Sequence, residues 1–238
     1  MVAFSSENIL YQDDDLMVVD KPVGLPVHQN DFLPKDADYL NKLAGQLTGK
    51  SVYNVHRLDA KTSGVMILAF SPATAKALAG LFEERMVRKE YVALVKGDLG
   101  AGTFDNKVVV KKKSRFKKPA ITHYRTLNIT HTKMVTKEGD PLKQSLVLLQ
   151  PETGLWHQLR QHLANNRTDI IGDTHHGDFS LNRQIFEKTG VKRLMLHASQ
   201  FSFIHPGTGK NVIFKSDLPE EFSRLVRNME EDPDHAID

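Results

Sequence analysis

The chain has 238 residues, of which 40% are hydrophobic and 26% are charged, with a net charge of +3. This length suits one large domain or two small ones, and the composition is that of a globular protein rather than a disordered chain. No apolar run approaches the roughly eighteen residues of a membrane helix, and the N-terminus lacks a signal-peptide pattern. The absence of cysteine excludes disulfides and thiolate chemistry, so we expect a cytoplasmic protein without a membrane partner.

Positive charge is concentrated in one segment, residues 107–118, which we call the basic block. It contains no acidic residue and seven cationic ones: Lys107, Lys111, Lys112, Lys113, Arg115, Lys117 and Lys118. The stretch after residue 219 is, by contrast, rich in Glu and Asp. An unopposed basic segment is a candidate contact for a polyanion, although a solvated loop would have the same pattern.

The first part of the chain alternates short strands with two helices. In chain order, the pattern predicts strands over 8–11 and 16–20, a rigid Pro- and Gly-containing loop over 21–28, a helix within 35–49, strands over 51–55 and 65–70, and a helix beginning at Ser71-Pro72. Ser71 is suited to cap that last helix, and Pro72 to its first turn. Residues 56–64, which we call the polar loop, lie between the strands at 51–55 and 65–70.

The second part of the chain is richer in strands. It predicts strands over 89–97, 104–110, 120–129 and 145–149, a turn at 138–141, helices over 156–166 and 182–189, strands over 193–198, 201–205 and 212–214, and a helix from about Pro219. Strands that outnumber helices and follow one another through turns indicate an α+β fold with a largely antiparallel mixed sheet, flanked by helices and loops. We expect a single domain over 1–238, with its core at about 8–215 and a helix and acidic tail at 216–238.

Asp59 in the polar loop is a candidate catalytic carboxylate. An aspartate that follows a strand is often only a turn residue or a helix cap. Here donors surround it in sequence, namely Arg57, Lys61, Thr62 and Ser63. Such donors keep a carboxylate ionised, as a nucleophile or a base requires.

Two further segments are candidates for the same site. In the predicted helix at 156–166, His157, Arg160 and Gln161 share one face, and Arg160 could supply a fixed cation for a distant carboxylate. An ordinary polar helix face explains this pattern equally well.

Tyr91 lies in a predicted strand, where a tyrosine is usually a packing residue. The functional interpretation is that its ring stacks on a base.

The histidines do not predict a metal site. His157, His162, His175, His176 and His197, with Asp173 and Asp178, are suitable ligands by type. However, His157 and His162 are five residues apart and no HExxH pattern is present, so we expect no metal. The chain also lacks the GxxxxGK[ST], GxGxxG and GxSxG motifs, so we expect no nucleotide or dinucleotide cofactor.

Six segments, taken in order, resemble the signatures of the RluA-type family of pseudouridine synthases. They are residues 21–28, 56–64, 89–97, 153–162, 172–173 and 193–198. The resemblance extends over about residues 8–215 and does not include the S4-like RNA-binding domain that many rRNA-modifying relatives carry. One position departs from the family pattern, because Leu155 follows Thr153-Gly154 where the family usually has arginine.

The resemblance implies the pseudouridine synthase catalytic fold and the isomerisation of a uridine in RNA to pseudouridine, without a cofactor. By matching position, Asp59 is the catalytic carboxylate, Arg160 pairs with it, and Tyr91 stacks on the flipped base and serves as the base that deprotonates C5. Arg57 would fill the gap left by the flipped nucleotide or contact a phosphate. The residues assigned to RNA binding are Arg57, His56, Lys111, Lys112, Lys113, Arg115, Lys117, Lys118 and His157.

Within the family, residues 120–125, 170–173 and 176–178 are most similar to the tRNA-modifying branch. The expected substrate is therefore tRNA, with the uridine at tRNA position 65 as the target, and the expected state is a monomer. Three alternatives remain: an rRNA substrate, a non-catalytic RNA-binding protein that keeps the fold, and a metal-dependent phosphoesterase that uses the histidines and aspartates.

Overall fold

The computed structural model describes residues 4–29, 33–112, 114–135 and 141–230. It divides into two compact units, the first comprising Met1–Glu90 with His197–Asp217, and the second comprising Tyr91–Leu196 with Leu218–Asp238. Lys113 and most of the turn predicted at 138–141 lie outside the described residues. Within the part that is described, no helix has both the length and the apolar character needed to span a membrane.

The described residues form twelve strands and five helices. In chain order these are β1 (Ile9–Gln12), β2 (Leu16–Lys21), α1 (Leu40–Thr48), β3 (Tyr53–Asn54), β4 (Ser63–Ala69), α2 (Pro72–Glu83), β5 (Arg88–Lys96), β6 (Ala101–Phe104), β7 (Val108–Val109), β8 (Lys117–Lys118), β9 (Thr122–Val135), β10 (Pro141–Pro151), α3 (Gln158–Asn165), α4 (Phe179–Thr189), β11 (Leu196–Ile204), β12 (Asn211–Lys215) and α5 (Glu220–Glu230). The predicted α+β class with a mostly antiparallel sheet is confirmed.

The sheet of the first unit is built around β4. Its seven residues are all buried, as expected for a strand covered on both faces. One edge of β4 pairs antiparallel with β2, which in turn pairs with β1. The other edge is shared between β3, which pairs at Leu68–Ala69, and β11, which runs parallel at Ser63–Gly64. β11 also pairs antiparallel with β12.

The sheet of the second unit is antiparallel throughout, in the order β5–β10–β9–β6. Its core gathers apolar residues from β5, β10, α3, α4 and α5 into one cluster that includes Leu94, Leu149, Leu163 and Phe222. β7 and β8 form a separate short hairpin. α3 lies against this core with Leu159 and Leu163 buried, and it also buries its polar residues Gln158, Arg160, Gln161 and His162.

Three predicted elements differ from the structure. The strand predicted over 104–110 is two short strands, β6 and β7, because Asp105–Lys107 leave the sheet. The two strands predicted over 193–205 form the single strand β11, since the chain makes no turn at Ser199-Gln200. The helix predicted from Trp156 begins at Gln158, because His157 adopts a left-handed conformation with φ of 51°.

Gly64 allows the close approach of β4 and β11. Its φ is 108°, and a Cβ built there would collide with the backbone carbonyl, nitrogen and carbon of Ala198. Both the backbone conformation and the available space therefore require glycine at this position. The parallel contact places Ser63, at the end of the polar loop, opposite His197.

We expect Gly64→Ala to lower the free energy of unfolding by about 3 kcal/mol, since left-handed strain and forced overpacking add together. Gly49→Ala is the matched control, because Gly49 also has a positive φ of 67° but nothing within 4 Å of its built Cβ. The control should lose only about 1 kcal/mol. Equal losses for the two variants in urea unfolding would contradict the close approach.

Candidate active site

The polar loop is anchored on one side by a buried lysine. Lys21 is fully buried, and its Nζ donates hydrogen bonds to the carbonyl oxygens of Pro22 (2.9 Å), Leu25 (3.0 Å) and Ala60 (3.1 Å). The backbone N–H of Gly24 also donates to Ala60 O at 2.7 Å. The predicted rigid loop at 21–28 therefore holds the backbone immediately after Asp59.

A histidine of β11 anchors the other side of the polar loop. Ser63 Oγ and His197 Nδ1 are 2.9 Å apart, and His197 Nε2 lies 3.3 Å from the carbonyl oxygen of Ser216. Because a carbonyl can only accept, Nε2 carries the proton and the Ser63 hydroxyl donates to Nδ1. The backbone turn closed by Thr62 N–H and Asp59 O (3.0 Å) lies between these two anchors, with Asp59 half-buried.

His56 and Arg57 occupy different environments, although both were predicted to contact RNA. The His56 ring stacks on Phe82 with centroids 4.6 Å apart, and its Nε2 accepts a hydrogen bond from Ile67 N–H at 2.9 Å. Burial, and then the charge of Lys89, lowers the pKa of His56 to about 3, so the ring stays neutral as this bond requires. Arg57 is exposed, whereas His56 is a packing residue of the loop. Neither RNA contact is tested by this arrangement.

In the second unit, Arg160 is held by a carboxylate that was not predicted as its partner. Its Nε and Nη2 donate to the two oxygens of Asp173 at 2.8 Å and 2.7 Å, which is the bidentate geometry that guanidinium and carboxylate favour. Arg160 is only 4% exposed and Asp173 only 2%. Burial raises the pKa of Asp173, but the hydrogen bonds and charge of Arg160 outweigh it and lower that pKa to about 2.

The segment that carries Asp173 is itself fixed. Asp173 Oδ1 also accepts from the backbone N–H groups of His175 (2.8 Å) and His176 (3.1 Å). Asn182 accepts from Gly172 N–H at 2.7 Å and donates to Asp173 O at 3.1 Å. These bonds fix the position of the carboxylate that Arg160 contacts.

Arg160 also organises the histidines. Its Nη1 lies 2.8 Å from His157 Nε2, and His157 Nδ1 lies 3.0 Å from His176 Nε2. Since a guanidinium only donates, Nε2 of His157 accepts and its Nδ1 donates to His176. His157, His175 and His176 lie close enough together to be grouped as metal ligands. However, a metal-bound histidine normally donates its second ring N–H to an acceptor, whereas both ring nitrogens of His157 already face Arg160 and His176. His157 and His176 are therefore described by the hydrogen bonds that link them to Arg160.

The other members of the predicted histidine and aspartate set lie elsewhere. His162 contacts Thr122 Oγ1 and Asn106 O, each at 3.0 Å. His197 belongs to the first unit, and Asp178 caps α4. The sequence set is therefore distributed over several hydrogen-bonding roles.

The loop before α3 is ordered by Gln158 rather than by an arginine after Gly154. Gln158 Oε1 accepts from Thr153 Oγ1 (2.7 Å) and from Leu155 N–H (3.1 Å). Its Nε2 donates to Ile121 O and to Thr122 Oγ1, both at 3.0 Å. The backbone of Leu155 thus keeps a defined position, and its side chain is half-buried.

The remaining predicted residues lie as follows. Tyr91 is half-buried on β5, opposite Leu149 of β10, and packs against the core of the second unit. Five cations of the basic block that were predicted to bind RNA are exposed, on or beside the hairpin of β7 and β8. They are Lys111, Lys112, Arg115, Lys117 and Lys118. Asp59 belongs to the first unit and Arg160 to the second, and their pairing stays a prediction.

Sequence reasoning missed the role of Asp173 as the partner of Arg160. The two residues are thirteen apart, on a helix and in a separate loop, so no periodicity links them. The only signal was Gly172-Asp173 among the segments of family resemblance. Gly172 itself has a φ of 77°, and a Cβ there would collide with Arg193 O, which explains why glycine precedes this aspartate.

Comparisons with known proteins agree with the resemblance. A family model described as RNA pseudouridylate synthase matches residues 15–165. The chain is 36% identical over 228 residues to the tRNA pseudouridine synthase C of Yersinia pestis, with 92% of this chain and 89% of the relative covered. The protein of the same name from Haemophilus ducreyi is 34% identical over 92% of this chain and 93% of its own.

A solved structure is similar as well. Human RNA Pseudouridylate Synthase Domain Containing 4 superposes with a TM-score of 0.73 at 30% identity, covering 94% of this chain and 93% of that one. The polar loop, Tyr91 and Arg160 all lie inside the region matched by the family model.

The buried pair of Arg160 and Asp173 can be tested by a double-mutant cycle. Asp173→Asn should lower the free energy of unfolding by about 3 kcal/mol, because it leaves a buried guanidinium without its counter-charge. The double variant Asp173→Asn/Arg160→Met should lose clearly less than the sum of the two single variants, as measured by urea unfolding at pH 7. Losses that add within about 0.5 kcal/mol would contradict the pairing.

Proposed function

The chain belongs to the RNA pseudouridylate synthase family, and we propose that it isomerises one uridine of tRNA to pseudouridine. The observation that carries the proposal is Asp59, which lies in a loop anchored on both sides, within the region matched by the family model. The tRNA substrate is favoured because relatives over 92% of the chain are named tRNA pseudouridine synthase C. The finer expectation, the uridine at tRNA position 65, is part of the proposal.

The reaction is an internal rearrangement. The bond between uracil N1 and ribose C1′ breaks, the uracil turns, and a bond forms between C5 and C1′. C5 then loses its proton and N1 gains one, so atoms and electrons balance without an oxidant or a co-substrate. The base must first leave its stack, which requires a few kcal/mol from contacts with the RNA.

We assign Asp59 as the catalytic carboxylate. Three routes are open to it: addition to C1′, addition to C6 of the uracil, or removal of a proton to give a glycal. Each needs an ionised carboxylate in a fixed position. The contacts of Lys21 and Gly24 with Ala60, and of Ser63 with His197, support this requirement because they restrain the backbone on both sides.

We assign Arg160 as the cation that pairs with Asp59. Its bonds to Asp173 and His157 fix the plane and the direction of the guanidinium. A planar guanidinium in a fixed orientation pairs with a carboxylate in a defined geometry. In this assignment Asp173 is a positioning residue, while Tyr91 stacks on the flipped base and removes the C5 proton.

RNA binding is assigned to Arg57 and the exposed cations of the basic block, together with His157. Lys113, which belongs to the same assignment, lies outside the described residues. A non-catalytic RNA-binding protein is the weaker candidate, because Asp59, Tyr91 and Arg160 are all present. An rRNA substrate is the alternative within the same reaction.

Asp59→Asn should abolish pseudouridine formation while leaving tRNA affinity within about twofold, because the amide keeps the shape of the side chain but cannot act as nucleophile or base. Asp14→Asn, at an exposed turn of the same unit, is the control and should keep full activity. The measurement is tritium release from uridine-labelled tRNA, paired with filter binding. Activity that survives in Asp59→Asn would refute the assignment.

The double variant Lys111→Ala/Lys112→Ala should weaken tRNA binding and reduce its salt dependence. Each cation that neutralises a phosphate contributes about 0.7–0.9 to the slope of log K against log salt, so the slope should fall by about 1.5. The control, Lys76→Ala/Lys188→Ala, removes two exposed lysines elsewhere on the surface. If the slope is the same in both double variants, the basic block is only a solvated loop.

A further inference from the structure

We propose that Phe116, which directly precedes β8 in the hairpin of β7 and β8, stacks on an unpaired base of the substrate RNA. This inference rests on the proposed function and goes beyond it, because the assignment of the basic block concerned phosphates alone. The proposed contact is a stacking interaction, which the charged side chains of the basic block do not provide.

The hairpin presents the Phe116 ring on an ordered backbone. β7 and β8 pair Val108 with Lys118 and Val109 with Lys117. The strand pairing continues with Val110 N–H and Phe116 O at 3.4 Å, and Phe116 N–H donates to Ser114 Oγ at 3.0 Å. The side chain is nevertheless 63% exposed, so the ring is held outward rather than packed into a core.

The surroundings of the ring match single-stranded nucleic acid. Exposed cations lie on both sides of it in the sequence: Lys111, Lys112, Arg115, Lys117 and Lys118. The ion pairs of the described residues involve none of these five. Aromatic faces interleaved with cations are the combination by which proteins hold unpaired nucleotides, since the ring takes a base and the cations take the backbone.

The hairpin is fastened to the helix that carries Arg160. Gln161 Oε1 accepts from Val109 N–H at 2.9 Å, and Gln161 Nε2 donates to Val109 O at 3.1 Å. His162 Nε2 and Asn106 O are 3.0 Å apart at the base of the same hairpin. Because Gln161 directly follows Arg160 on α3, these bonds hold the hairpin that carries Phe116 against the helix that carries Arg160.

An unpaired base is also what the proposed reaction provides. Flipping one uridine out of a stack removes a neighbour from the adjoining bases and leaves their faces open. An exposed phenyl ring on a hairpin fastened to α3 could cover such a face and select RNA in which a base is available there. An anionic membrane is the other surface that would attract cations around an apolar ring, and the test separates it from RNA.

The test compares Phe116→Ala with Phe179→Ala, whose ring is 64% exposed on α4 and serves as the matched control. Phe116→Ala should bind tRNA about 5- to 150-fold more weakly, the range for loss of one stacked base. Its salt slope should equal that of the wild type, because a phenyl ring carries no charge. Phe116→Trp should retain affinity, and Phe116→Leu should lose it, since leucine keeps the bulk but not the π face.

Wild-type affinity in Phe116→Ala, an equal loss in Phe179→Ala, or full affinity in Phe116→Leu would each overturn the stacking contact. Weaker binding of Phe116→Ala to phosphatidylserine vesicles, with unchanged tRNA affinity, would also overturn it.

Different results would refute the proposed function and the stacking contact. A wild-type protein that forms no pseudouridine in tRNA refutes the proposed function, whereas an active wild type with a fully binding Phe116→Ala refutes only the stacking contact.

Discussion

The buried ion pair between Arg160 and Asp173 is the interaction on which the arrangement of the second unit depends. A guanidinium removed from water is strongly unfavourable unless its charge and its donors are matched. Asp173 supplies both through two short bonds, and His157 takes a third donor. Both partners lie at backbone positions with a positive φ or directly after one: His157 has a φ of 51°, and Gly172, before Asp173, has a φ of 77°.

In the first unit, backbone oxygens hold a buried cation. Lys21 directs its ammonium group to three carbonyl oxygens, one of them beside Asp59. His197 and Gly64 restrain the other side of the loop. Each unit thus offers one charged side chain on a restrained scaffold: a half-buried carboxylate in the first, and a buried guanidinium in the second.

Much of this could be predicted from the sequence, because short-range patterns determine it. The strands around the polar loop, the helix capped by Ser71, and the α+β class all follow from periodicity and turn residues. Contacts between distant segments could not be predicted in that way. Nothing in the spacing of Asp173 indicates Arg160, and the packing of His56 on Phe82 depends on α2, which begins sixteen residues after His56. The sequence marks residues 107–118 by their charge alone, and the exposure of Phe116 becomes visible only in the folded hairpin.

The most direct test of the proposed formation of pseudouridine in tRNA is to map pseudouridines across all cellular RNA. Cells that lack the gene, and the same cells with the gene restored, would be compared at single-nucleotide resolution. Under the proposed function, we expect one uridine of tRNA, at position 65, to lose the modification and to regain it on restoration, with rRNA unchanged. A map that is identical in the presence and absence of the gene, or a loss confined to rRNA, would contradict it.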